Sequence, residues 1–209
     1  GGTPNPPTVN TLEYDGSNWT NGGNLGTARY DIAGTGLQTA GLAVGGLQDP
    51  DATEEYNGTS WTAGGNLGTG RRALGTAGTQ TAALGFGGYL WPPPGGPTNA
   101  TEEYDGTNWT AGGNLNSPIM NNASQGTQTT ALSYGGKNPP SDLKSQTEQY
   151  NGTAWSTTAN LGTARYSFSG GTLGVGLGFG GYAPGSGNLT ATEEFTDTFN
   201  ATQTLTTST

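Results

Sequence analysis

The chain has 209 residues and contains neither cysteine nor histidine. Without cysteine there is no disulfide framework, no thiol nucleophile and no thiolate metal site. Without histidine there is no imidazole acid–base chemistry, and most transition-metal sites lose their usual ligand. Basic residues are also scarce. Six Lys plus Arg stand against fifteen Asp plus Glu, for a formal net charge of −9. A phosphate backbone or an anionic lipid surface repels such a chain, which argues against nucleic-acid and membrane-surface partners. No apolar run approaches the roughly 20 residues that span a bilayer, and no charged-then-apolar leader opens the sequence.

Glycine and proline, by contrast, are abundant. With 40 Gly and 12 Pro they make up about a quarter of the chain, a level often seen in low-complexity segments. Disordered chains, however, are poor in aromatics. Here 5 Trp, 9 Tyr and 5 Phe fall mostly at regular positions. A key aromatic recurs at Tyr14, Tyr56, Tyr104, Tyr150 and Phe195, at spacings of 42, 48, 46 and 45. Trp19, Trp61, Trp109 and Trp155 each follow five residues after a Tyr, and Leu25, Leu67, Leu115 and Leu161 six residues after each Trp. A Gly-Gly pair closes each unit at 45–46, 87–88, 135–136 and 180–181, and Gly1-Gly2 reads as the tail of an earlier unit. Such a period points to an array of repeated supersecondary units. The units fall at 1–27 (partial), 28–69, 70–117, 118–162 and 163–209, all in one domain, and the alternative to a ring made by these units is a piece of a larger ring or fibre.

Each unit reads as four short strands. Strand a resembles ARYDIAGTG (28–36), strand b TAALGFGG (81–88), strand c TEEY and strand d NWTA. Strands c and d are joined by Asp-Gly or Asn-Gly, the strongest short hairpin signal, because these residues accept φ > 0. No stretch carries an apolar 3.6-residue period, and the glycine density opposes helix. The fold class is therefore all-β. Four antiparallel strands per unit, repeated radially, describe a propeller, with Tyr and Trp as packing groups between blades.

The register Gly-Gly, variable loop, Glu-x-Tyr-(Asp/Asn)-Gly, Trp and then Asn-Leu-x-x-x-Arg resembles the kelch repeat over nearly the whole chain. Arg29, Arg71 and Arg165 match the basic position of that repeat, and Ile119 departs from it, so an Arg–Glu pair is expected to be missing in that unit. The GTQTAALGFGGY style is also similar to kelch-like repeats in structural and fibre proteins of marine bacteriophages. The resemblance implies a kelch-like β-propeller of four-stranded antiparallel blades. Five blades are expected, from four full repeats plus partial terminal units.

Catalysis finds little support. Glu54-Glu55, Glu102-Glu103 and Glu193-Glu194 are adjacent acids, but neighbouring strand residues point to opposite faces, so a pair does not converge on one site. Asp49 and Asp51 form a weak Ca²⁺ pattern that a solvated turn explains as well. Asn-x-Ser/Thr sequons sit mostly in the repeated hairpin, where turn geometry accounts for the asparagine. No catalytic, metal or cofactor site is expected.

The irregular part is the b–c loop, 10 to 16 residues from the second Gly to the next key aromatic, which carries most of the prolines. Binding residues concentrate on loops held by a rigid scaffold. Leu47, Asp49, Tyr89, Trp91, Lys137 and Tyr182 are the candidate binding residues. Trp91 lies outside the packing register before Pro-Pro-Pro; either it stacks on a sugar or anchors an interface, or it folds back over its own loop. The expected function is a non-enzymatic binding protein of an extracellular or virion-surface appendage, such as a phage tail fibre. Its partners would be a host-surface glycan or protein, or neighbouring subunits of an oligomer, with no nucleic acid and no membrane insertion. The alternatives are a purely structural fibre or decoration subunit and, more remotely, a propeller hydrolase or lyase acting on polysaccharide.

Overall fold

Asp and Asn at the head of each Asp/Asn-Gly turn fold the repeated hairpin. In the computed structural model, which describes residues 7–139, 142–172, 175–183, 187–196 and 204–208, the side-chain oxygen of Asp15, Asn57, Asp105 or Asn151 accepts two backbone N–H groups of its own turn. The glycine that follows takes a left-handed conformation each time, for example φ 90° at Gly106. Tyr and Trp then lie directly opposite one another across the hairpin, as Tyr104 does to Trp109, with ring centroids 4.9 Å apart.

Three of these hairpins extend into four-stranded antiparallel meanders. The first sheet runs Ala33–Leu37, Ala40–Val44, Thr53–Tyr56 and Trp61–Ala63. The second runs Gly75–Thr79, Ala82–Phe86, Thr101–Tyr104 and Trp109–Ala111. The third runs Ala123–Gly126, Ala131–Tyr134, Thr147–Tyr150 and Trp155–Thr157. A fourth sheet, without the Trp, runs Tyr166–Thr172, Val175–Ala183, Thr192–Thr196 and Thr204–Ser208. The first hairpin, Leu12–Tyr14 with Trp19–Asn21, stands as a two-stranded sheet. There is no helix among the described residues.

Strand a is shorter than the sequence suggests, starting at Ala33 rather than residue 28. Residues 29–31 have another task. Arg29 is an anchor, Tyr30 bridges to Leu47, and Asp31 turns the chain at φ 55° before the strand begins.

The first strands of successive sheets lie side by side, Ala33–Leu37 by Gly75–Thr79, then Ala123–Gly126, then Tyr166–Thr172. The sheets therefore stack face to face, and the core lies between them. One cluster joins Leu42 and Val44 of the first sheet to Leu74, Ala83, Tyr104 and Trp109 of the second. The next joins Leu84 and Phe86 to Ala131, Tyr150 and Trp155, and the last joins Leu132 and Tyr134 to Phe195. No sheet buries its faces alone, as expected of stacked repeats.

Two polar links recur at each junction. The Trp indole N–H donates to the threonine that opens strand c of the preceding unit, from Trp61 to Thr11, Trp109 to Thr53 and Trp155 to Thr101, at 2.8 to 3.0 Å. The Tyr hydroxyl donates to the second acid of that strand, from Tyr104 to Glu55 and Tyr150 to Glu103 at 2.6 Å, and likewise from Tyr56 to Glu13. At the last junction both partners change together. Phe195 has no hydroxyl, and Gln149 stands at the acid position.

Gly-Gly closes the unit for lack of space as well as for its backbone. A Cβ on Gly45 would clash with the carbonyl oxygen of Arg71, and the Gly46 N–H donates to that same oxygen at 3.1 Å.

Candidate functional site

The paired acids are scaffold. The first acid of each pair is buried on an arginine of the same unit: Arg29 reaches Glu54 at 2.6 Å, Arg71 pairs with Glu102, and Arg165 with Glu193. Each guanidinium also donates to the first Gly-Gly carbonyl and to the carbonyl preceding strand c, for Arg29 those of Gly45 and Ala52. Burial pulls the Arg71 pKa down, opposed by the charge of Glu102. The second acid is held by the Tyr hydroxyl. Burial, then the hydrogen bond to Glu55 or Glu103, pushes Tyr104 and Tyr150 up to about 12. Tyr56 is raised as well, first by its bond to Glu13. These carboxylates are thus taken up by the arginines and tyrosines that hold the units together.

A cleft of about 460 Å³ opens on the side where strand a begins and the b–c loops start. Five of its lining residues come from two positions that recur in each unit. One follows the repeated arginine position (Tyr30, Arg72, Met120, Tyr166), and the other follows Gly-Gly (Leu47, Tyr89, Lys137, Tyr182). The two pair across a short bridge in every unit: Tyr30 with Leu47, Arg72 with Tyr89, Met120 with Lys137, Tyr166 with Tyr182. The Gly-Gly pair beside them is fixed and the arginine nearly so, while this cross-strand pair changes in each unit. The fold therefore presents a constant frame with a variable insert.

Asp31, Arg72, Tyr89, Met120, Asn121, Lys137, Pro139 and Tyr166 line the cleft. The Arg72 guanidinium lies 2.5 Å from Asp31 Oδ2 and 5.2 Å above the Tyr89 ring. Lys137 Nζ lies 5.2 Å from the Tyr166 ring, and the Tyr166 and Tyr182 rings are 5.7 Å apart. Cations over rings hold both groups in place. Charge is distributed unevenly. Of the six basic residues, Arg29, Arg71 and Arg165 are buried in ion pairs. Arg72 and Lys137 line the cleft, and Lys144, on the neighbouring b–c loop, pairs with Asp142 at 2.5 Å.

The structure places Tyr89 and Lys137 in the cleft and Tyr182 beside it, against Tyr166. It leaves Leu47, Asp49 and Trp91 out of its lining. Leu47 is half-buried on Tyr30, and Asp49 sits in a turn whose carbonyl accepts from Ala52 N–H. Trp91 is half-buried, with its amide donating to the Gly70 carbonyl at 3.1 Å. Asp31, Arg72, Met120, Asn121 and Tyr166 are cleft residues that loop reasoning missed. Their signal was present in the register, since the residue after the repeated arginine position varies among units, as Tyr30, Arg72, Met120 and Tyr166.

A second groove, about 350 Å³, lies between the first hairpin and the first four-stranded sheet, lined by Leu12, Leu37, Tyr56 and Trp61 among others.

No family model and no curated protein matches the chain. Among solved structures the fold is similar to one described as "Structure of YjhT", with a TM-score of 0.74 and 13% identity over 90% of this chain and 72% of that one. At that identity the likeness is one of fold.

Proposed function

We propose that the chain is a non-enzymatic binding module, a kelch-like propeller with four complete blades and a half-blade. In this reading its b–c face takes a surface glycan bearing acidic groups, on an extracellular or virion appendage. The observation that carries the reading is the cross-strand pair that varies between nearly constant residues. It gathers Tyr89, Tyr166, Arg72 and Lys137 around one cleft in a chain that is otherwise acidic. Aromatic rings offer a sugar apolar faces, and the two cations meet a carboxylate or sulfate. The repeated carboxylates other than Glu194 are engaged in packing, and Asp31, which lines the cleft, is paired with Arg72, which favours binding over turnover.

A panel of neutral and acidic polysaccharides, titrated by calorimetry, tests this. Acidic members should bind, and Tyr89→Ala and Lys137→Ala should each weaken binding about tenfold or more, the cost of losing a central contact. Trp91→Ala should leave affinity unchanged. Binding of neutral glycans alone, or binding lost with Trp91 and kept without Lys137, would overturn the reading.

A further inference from the structure

We infer that the third sheet binds a monovalent metal cation, sodium or potassium, at the place where the other sheets put an arginine side chain. The inference does not depend on the ligand reading. At the other three sheets one positive charge meets the same three groups. Arg29 reaches Glu54 through one amino group, and through the other it donates to the carbonyls of Gly45 and Ala52 at 2.8 and 3.0 Å. Arg71 makes the same contacts with Glu102, Gly87 and Ala100, and Arg165 with Glu193, Gly180 and Ala191.

Ile119 takes the arginine position at the third sheet, yet the groups that receive the charge are all there. The carboxylate is Glu148, 4% exposed, and the two carbonyls are those of Gly135 and Gln146. The backbone around them runs the same way. Gly135 N–H donates to the Gln146 carbonyl at 3.0 Å, as Gly45 N–H does to that of Ala52 at 2.8 Å. Asn116 and Gln146 give Glu148 hydrogen bonds on both oxygens, but these donors are neutral. No basic side chain pairs with Glu148 among the described residues, and the ammonium of nearby Lys144 is paired with Asp142. A carboxylate held out of water without a counter-charge is strongly disfavoured.

The cavity at this place is bounded by Gly135, Gln146 and Glu148 together with Ser117 and Ser133, and measures about 10 Å³. That is room for one particle the size of a water molecule. Sodium and potassium ions are of that size, and a guanidinium is not. The surrounding residues offer oxygen, the ligand that hard cations take. One carboxylate matches one positive charge, as it does in the other three sheets. Calcium takes six to eight oxygens, and a divalent ion here would leave a surplus of positive charge.

Thermal unfolding tests the inference, with sodium or potassium chloride exchanged for tetramethylammonium chloride at constant ionic strength. The ratio of folded to unfolded chain should rise with sodium or potassium, approaching tenfold per tenfold of cation above half-saturation. Tetramethylammonium is too large for the cavity and should give none of this rise. Glu148→Gln removes the charge, and the double variant Ile119→Arg/Gln146→Ala carries its own guanidinium. Both should lose the dependence on sodium or potassium, whatever their own stability. Equal stability of the wild-type chain in all three salts, the result that a water in the cavity gives, would overturn the inference. Undiminished dependence in either variant would also overturn it, since the cation would then sit elsewhere.

Discussion

Gln146 Nε2 donates to Glu148 Oε1 at 2.9 Å, in the unit where Ile119 occupies the arginine position. The other three units place alanine at the position of Gln146 (Ala52, Ala100 and Ala191), and an arginine serves the buried acid. Asn116, where the other units have glycine, gives Glu148 Oε2 two further donors, its backbone N–H at 2.8 Å and its side-chain amide at 2.6 Å. One unit has thus exchanged an ion pair for neutral amides around the same carboxylate. The space beside them is about 10 Å³, room for a water and far too little for a guanidinium.

Ile119→Arg alone should therefore destabilise the protein by about 1–3 kcal/mol through overpacking. Adding Gln146→Ala, which recreates the arrangement of the other units, should recover most of that loss. Urea denaturation of the four members of the cycle measures the coupling. Additive effects would show that the two side chains do not share the site.

The buried ion pairs are sensitive to removal of one partner. Glu102→Ala leaves Arg71 charged and buried, which costs about 3–5 kcal/mol. Arg72→Ala breaks an exposed pair and should cost about 1 kcal/mol or less. Arg71 and Arg72 are chain neighbours, so the melting curves of Glu102→Ala and Arg72→Ala compare a buried anchor pair with a cleft pair directly.

Burial also separates the tryptophans. Trp109→Ala should cost about 3–5 kcal/mol, since it empties a packed junction. Trp19→Ala should leave the stability almost unchanged, because that side chain is 66% exposed. Thermal unfolding at low protein concentration distinguishes the two.

The tyrosines set an alkaline limit. Their folded pKa of about 12 lies above the ordinary value of 10.0, so the fold favours the protonated hydroxyl. The stability this provides is fully present below pH 10 and is lost as pH rises from 10 through 12. Tyr104→Phe with Tyr150→Phe should flatten that decline, at a cost near neutral pH of about 1 kcal/mol per lost hydrogen bond. At the acid end, Asp15 and Asp105 are held below 3.8, chiefly by the backbone N–H groups of Asn18 and Asn108. Their contribution is present above pH 3.8 and is lost below it, whereas Asn57 and Asn151 make the same turn without titrating. Equilibrium unfolding followed across pH checks both limbs.

The scaffold was legible because it is repeated. Asp/Asn-Gly, Tyr, Trp and Gly-Gly in register led to the four meanders and the extra hairpin without any structural information. The cleft was less legible because repetition conceals it. Arg72 reads as a second basic residue beside Arg71, yet it is the one that leaves the core. Trp91 drew attention as an aromatic outside the pattern, but its loop is held on Gly70, away from the cleft. The variable pair between constant neighbours becomes visible only once Arg72 and Tyr89 are seen to pair across strands.

Amide hydrogen exchange with and without a saturating acidic polysaccharide tests the central claim most directly. The account predicts slowed exchange around residues 71–73, 89–90, 119–121 and 137–138, with the repeated hairpins, such as 104–109, unchanged. Protection of the hairpins instead, or no protection by any acidic glycan, would contradict it.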